Sequence, residues 1–340
     1  MIGGTDSMSD YFYSSARVRA LETGLLQNDA LARVLEAPTL DAAYSMLEEY
    51  GVKLKRNPEN DKILREETLL FRLSSAYAEI ASLTEELDKS LFALWRYPYD
   101  CNNIKAAIKC FARGISCDDL LFDFGTVSAE EIKTAVRTND FSVLPKHLSD
   151  AAQEAVAVYA RTQNPQQIDL ILDRACYADM LDAAEQSGVE YAVKLVRTKI
   201  DLLNLVMCLR VMRMQSGEAG KMLLRDALLQ GGTVSSDDVL DLYEMEEKAL
   251  WEKLLYTDYR TFAEAVASKH PTLTEVERAA DNAFMAVVRE ARFIACGPEV
   301  LIGYLLGMEN EVRNIRVLLA GKGAGLPSET VWERVRDSYV

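Results

Sequence analysis

Self-similarity constrains this chain more than any other feature. Gly125-Thr126-Val127-Ser128 returns as Gly232-Thr233-Val234-Ser235, and a looser copy, GLPSETVW, starts at Gly325. A second signature reads Asp100-x-x-Asn103-Ile104, then Asp201-x-x-Asn204-Leu205, then Glu311-x-x-Asn314-Ile315. Each is followed four positions on by an apolar residue: Ile108, Leu209 and Leu319. A period of about 100 residues exceeds the roughly 20–50 of solenoid units, and leaves each module enough chain to bury a core. The expectation is three tandem homologous helical bundles, covering 1–118, 119–224 and 225–340, with linkers near 114–124 and 217–232.

Periodicity points to an all-α chain. Eight prolines and 17 glycines are sparse punctuation in 340 residues, and strand-like alternation of β-branched residues is absent. Leu69, Leu70, Leu73, Tyr77, Ile80, Leu83 and Leu87 recur three and four apart, predicting one long amphipathic helix over 64–94. The stretches 168–184 and 276–291 repeat that pattern. Breaks fall at Ala37-Pro38-Thr39, Asn164-Pro165, His270-Pro271-Thr272 and Gly297-Pro298, and from Gly321 to Pro327. Ser128 and Ser235 precede acidic residues, as N-caps that complement the positive end of a helix dipole. The short helix expected at Ser328-Glu329 has no bundle after it. It should pack against the first bundle, so that the three units close into a ring.

Charge and composition exclude several classes. Thirty-eight basic against 53 acidic residues give a formal charge of −15, which repels nucleic acid and anionic lipid. The longest apolar stretch, Val300 to Met308, falls far short of the roughly 18 residues a membrane span requires. The opening MIGGTDS carries no signal-peptide pattern and reads as a fraying end. Six cysteines without a CxxC pair read as reduced, mostly buried thiols of a cytosolic protein.

Catalytic chemistry is sparse, and no cofactor or metal site is expected. His147 and His270 lie beside prolines without partners at ligand spacing. Gly217 to Lys221 is too short for a phosphate loop, and Gly321-Lys322-Gly323-Ala324-Gly325 follows no strand and reads as a flexible turn. Asp237-Asp238-x-x-Asp241 would suit the magnesium box of a class I isoprenoid synthase. The equivalent positions in the preceding copy, Glu130, Glu131 and Thr134, do not keep the triad, and capping alone accounts for the acidic pair.

The carboxylate and amide of the second signature share a helix face, being three residues apart. One reading makes Asp100, Asn103, Asp201, Asn204, Glu311 and Asn314 structural ties between helices. For the basic residues that accompany them (Lys105, Lys109, Arg210, Arg213, Arg313 and Arg316), two readings stand. They complement helix ends and carboxylates, or they present three related faces to a partner.

Taken in order, these segments resemble the C subunit of archaeal and bacterial V-type (A-type) rotary ATPases, the counterpart of the eukaryotic d subunit. The resemblance begins at Tyr11-x-Tyr13-x-x-Ala16-Arg17-x-Arg19 and Tyr99-Asp100-x-x-Asn103-Ile104-Lys105. It continues through Asp169-x-x-Leu172-Asp173-Arg174-x-x-Tyr177, Lys199-Ile200-Asp201-x-x-Asn204 and Gly231-Gly232-Thr233-Val234-Ser235. It ends with Glu309-x-Glu311-x-x-Asn314-Ile315-Arg316 and Gly321-Lys322. It implies a funnel of three bundles about a pseudo-threefold axis, peripheral at the cytoplasmic face of a membrane. Such a protein is a non-catalytic socket that joins the central shaft, made of the D and F subunits, to the membrane proteolipid ring. Rotation then links ATP turnover to proton or sodium transport, with no nucleic acid and no small-molecule substrate. A cytosolic helical adaptor holding another protein in its cavity is the alternative, and the isoprenoid-synthase reading comes third.

Overall fold

Helices form wherever the apolar residues recur at three- and four-residue spacing, and the breakers end them. A computed structural model describes residues 11–84, 90–267 and 270–340. Among these the chain is all-α, and its only β-type pairing is an isolated bridge between Arg56 and Ile63. Thr39 accepts from the Ala42 amide and Asn164 from the Gln166 amide, while Thr272 and Glu275 form a reciprocal capping box. The MIGGTDS stretch, expected to fray, lies outside the described residues.

Two differences from the sequence pattern stand out. The helix predicted over 64–94 stops at Leu83. Thr84 leaves helical geometry (φ −125°, ψ 27°), and its hydroxyl donates back to the Ile80 carbonyl at 2.8 Å. Leu87 lies outside the described residues. The expected linker at 217–232 contains the helix Gly217–Ala227, which buries Gly220, Leu224 and Ala227.

The chain divides into two compact units, residues 1–87 with 251–340, and residues 88–250. In the first, the helix Pro298–Gly323 is apolar nearly all round and buried along its length, as a central helix has to be. Phe12–Glu22, Asn28–Glu36, Leu40–Glu49, Arg65–Leu83 and Leu273–Val288 pack on it, and so does the short Ser328–Trp332. Gly303 and Gly307 let the Tyr339 ring lie against the helix backbone, where a Cβ at either would come within 2.7 Å of a Tyr339 atom. The final segment is held on every side. Asn28 and Asn282 side chains accept from the Ser338 and Asp337 amides, Arg289 donates to the Ser338 carbonyl, and the Tyr339 hydroxyl donates to Glu22 at 3.0 Å. Ser328–Trp332 packs against Asn28–Glu36, as expected of the last helix.

In the second unit, Pro165–Gln186 is the central element. Lys146–Thr162, Glu190–Met214 and Tyr97–Arg113 pack against it, and Ala129–Thr138, Gly217–Ala227 and Ser236–Tyr243 complete the bundle.

Candidate functional site

The repeated signature is a hydrogen-bonded clamp. Asp100 has no exposed surface, and its Oδ2 accepts from the Thr126 amide (2.9 Å) and hydroxyl (2.6 Å) while Oδ1 accepts from the Val127 amide (3.1 Å). Asn103 closes a two-way bond with Phe122, donating to its carbonyl at 2.8 Å and accepting from its amide at 3.0 Å. The second copy reproduces every contact. Asp201 takes the Thr233 amide and hydroxyl and the Val234 amide, and Asn204 exchanges two bonds with Leu229.

This geometry explains the glycines. A Cβ at Gly125 would stand 1.9 Å from the Asp100 carboxylate, and one at Gly232 would stand 2.0 Å from that of Asp201. Close approach, not backbone torsion, demands glycine there. Burial first, set against the bonds from Thr126 and Val127, holds the Asp100 carboxyl above its ordinary value.

The third clamp does not form on the segment at Gly325, the looser copy of the glycine motif. Asn314 exchanges its two bonds with Arg336, at 2.9 Å each. Glu311 reaches to the other end of the chain, where its Oε2 accepts from the Leu26 amide at 2.5 Å. Leu26 stands two residues before the helix Asn28–Glu36, as Val127 and Val234 stand before Ala129–Thr138 and Ser236–Tyr243. Gly24 takes the place of Gly125 and Gly232. Leu25 has no hydroxyl to offer, so Arg72 supplies the remaining donor. Its Nε donates to Glu311 Oε1 at 2.5 Å and a second nitrogen to the Gly24 carbonyl at 3.3 Å. Arg96 plays the parallel part in the first copy, donating to the carbonyls of Phe124 and Gly125. Ser328 begins its helix without a side-chain cap, since Pro327 holds the cap position.

The basic residues are drawn into ion pairs. Lys105 meets Asp173 and Lys109 meets Asp169, both at 2.5 Å, tying Tyr97–Arg113 to Pro165–Gln186. Arg316, two residues beyond its asparagine as Lys105 is, meets Glu66 at 2.9 Å on Arg65–Leu83. Arg313 pairs with Asp281 at 3.1 Å, Arg213 with Glu247 at 3.0 Å, and half-buried Arg210 is engaged as well. At Lys105 burial pulls the ammonium down, but Cys101, Asp173 and Asp169 together carry it above its ordinary value.

Asp238 shares its cap bonds with Ser235, and Asp237, Asp238 and Asp241 are all exposed. Among the described residues no group of three His, Cys, Asp or Glu is placed to hold a metal. Gly321 to Gly323 are the last turn of a helix rather than a flexible turn, because Gly321 packs against Val331. His147 does have a partner, Asp182 at 2.9 Å, while His270 is exposed. Asp179 escaped the sequence reading. Its buried carboxylate accepts from the His147 and Leu148 amides and caps a helix whose cap residue, Pro145, offers no side-chain bond. An aspartate on the following helix leaves no local signature. All six cysteines are free, and burial pushes the Cys208 thiol up to about 12.

Among the described residues the chain is all-α, it carries a recurring carboxylate and amide clamp, and none of its helices is long and apolar enough to cross a membrane. The chain belongs to the ATP synthase (C/AC39) subunit family, which it matches over residues 14–334. The C subunit of the V-type sodium ATPase of Enterococcus hirae is 24% identical over 333 residues, covering 97% of this chain and 99% of the relative. The C subunit of the A-type ATP synthase of Methanocaldococcus jannaschii is 23% identical over 347 residues (95% and 86%), and that of Thermococcus gammatolerans 26% over 333 (95% and 89%).

Proposed function

We propose that this chain is the non-catalytic rotor component that joins the soluble shaft, made of the D and F subunits, to the membrane proteolipid ring of a V-type or A-type ATPase, on its cytoplasmic face. The observation that carries this reading is the third clamp. Where Asp100 and Asp201 each grip the loop ahead of the next module, Glu311 grips Leu26 ahead of the first. A last copy that grips the first is what three bundles about a pseudo-threefold axis would require. The pairs Lys105–Asp173 and Arg316–Glu66 follow the same rule, each tying a signature helix to the long helix of the following bundle. On this reading the three bundles form a funnel about a pseudo-threefold axis.

Such a part has to transmit torque without yielding, so its polar groups are spent on holding helices together. The buried clamps and inter-helix ion pairs suit that task, and a reaction centre is not required. Lys105, Lys109, Arg210, Arg213, Arg313 and Arg316 then act first as struts, and their exposed edges are available to partners.

The test is reconstitution. The purified chain, mixed with the D–F pair and with detergent-solubilised proteolipid ring, should co-elute with each. Elution apart from both would reject the socket and leave an adaptor for another partner.

A further inference from the structure

The third module differs from the second at one groove. Between Asn28–Glu36 and Ser328–Trp332 lies an open groove of roughly 640 Å³. Ala32, Leu35 and Trp332 supply its apolar lining, and the exposed Glu36, Glu329 and Glu333 supply its charge. Among the described residues none of these three carboxylates meets a cation. Of the cations close by in sequence, Arg33 is committed to Asp29 at 3.2 Å and Lys322 to the Leu35 carbonyl at 2.8 Å, while exposed Arg334 makes no ion pair among the described residues.

The second module shows what is missing. Counted from the first residue of the helices Asn28–Glu36 and Ser236–Tyr243, Glu36 takes the place of Glu244. Counted back from the residues clamped by Asn314 and Asn204, Ser328 takes the place of Lys221. Lys221 is bonded to Glu244. In the third module that lysine is a serine, two further glutamates stand beside it, and a half-buried indole faces the gap. An apolar groove that combines carboxylates with an aromatic face is complementary to a cation carried on an apolar segment.

We propose that this groove receives an amphipathic, lysine- or arginine-bearing segment of a partner protein in the assembly, its cation standing beside Glu36 as Lys221 stands beside Glu244. The proposal rests on the rotor reading, and the experiment separates the two.

The probe is a synthetic amphipathic helix of leucine and lysine, with its glutamate-for-lysine counterpart as control, titrated against the full chain. Trp95 and Trp251 are each 4% exposed, so the half-buried Trp332 is the reporting fluorophore. The lysine peptide should saturate a Trp332 signal that vanishes in Trp332→Phe, and the glutamate peptide should give none. Ser328→Lys rebuilds the pair of the second module from within and should weaken binding about tenfold, as should Glu36→Gln. If both variants bind like the parent, the peptide is held by the overall charge of −15 and the groove is refuted. Co-elution with shaft and ring despite insensitive peptide binding would sink the groove alone. Sensitive peptide binding without co-elution would sink the rotor reading and keep the groove.

Discussion

The first two clamps and the third hold equivalent loops across very different lengths of chain. Asp100 and Thr126 are 26 residues apart and Asp201 and Thr233 are 32 apart, whereas Glu311 and Leu26 are 285 apart. Closing the longer loop costs about 2 kcal/mol more in chain entropy. The third clamp also lacks the threonine hydroxyl. It offsets both with Arg72, whose charge-assisted bond is worth about 1.5–3 kcal/mol. With side chains 13% and 3% exposed, the Arg72–Glu311 pair is deeply buried. Local copies can rely on neutral loop donors, but a closure between distant segments draws on an ion pair.

That contrast can be broken most sharply at Glu311. Glu311→Gln leaves the buried Arg72 guanidinium without its counter-charge and should cost about 3 kcal/mol. The loss should appear as faster amide exchange at Leu26 and Asn28–Glu36, with Thr126 and Val127 protected as before. Unchanged exchange at Leu26 would mean that the third clamp does not hold the first helices.

The glycines come next. Gly125→Ala and Gly232→Ala each drive a methyl into a buried carboxylate and should cost about 2 kcal/mol. Gly24→Ala meets only the Leu21 carbonyl, at 3.3 Å, and should cost less than about 1 kcal/mol. Urea midpoints of the three variants would settle the order, and equal losses would erase the distinction between local and long-range copies.

The smallest expected effect is a pH trend at Asp100. Burial holds its carboxyl above 3.8, so the native state keeps that proton to a higher pH than the unfolded chain does. The stabilising share is complete below 3.8 and fades as pH rises through the raised value. Asn carries no such proton, so the stability margin of the parent over Asp100→Asn should narrow as pH climbs above 3.8. A margin that widens instead would contradict the burial argument.

Much of the scaffold was written locally. Ser128 and Ser235 cap their helices because a hydroxyl three residues ahead of an amide needs no distant partner. The pairing of Asp100 with Asn103, and of Asp201 with Asn204, was legible as a structural tie because each clamps a loop nearby in sequence. The third loop was not. Gly325 has the composition of the motif, but Gly24-Leu25-Leu26-Gln27 has the position, and the chemistry that excuses its missing threonine sits on Arg72.

Sequence alone determined the helical class, the recurring signature and the helix starts at Ser128 and Ser235, since these follow from spacing and capping within a few residues. The tertiary structure decided where the carboxylate of Glu311 ends up and which helices the basic residues bind. Those outcomes depend on groups far apart along the chain competing for the same donors and acceptors. No short stretch of residues encodes the winner of such a competition.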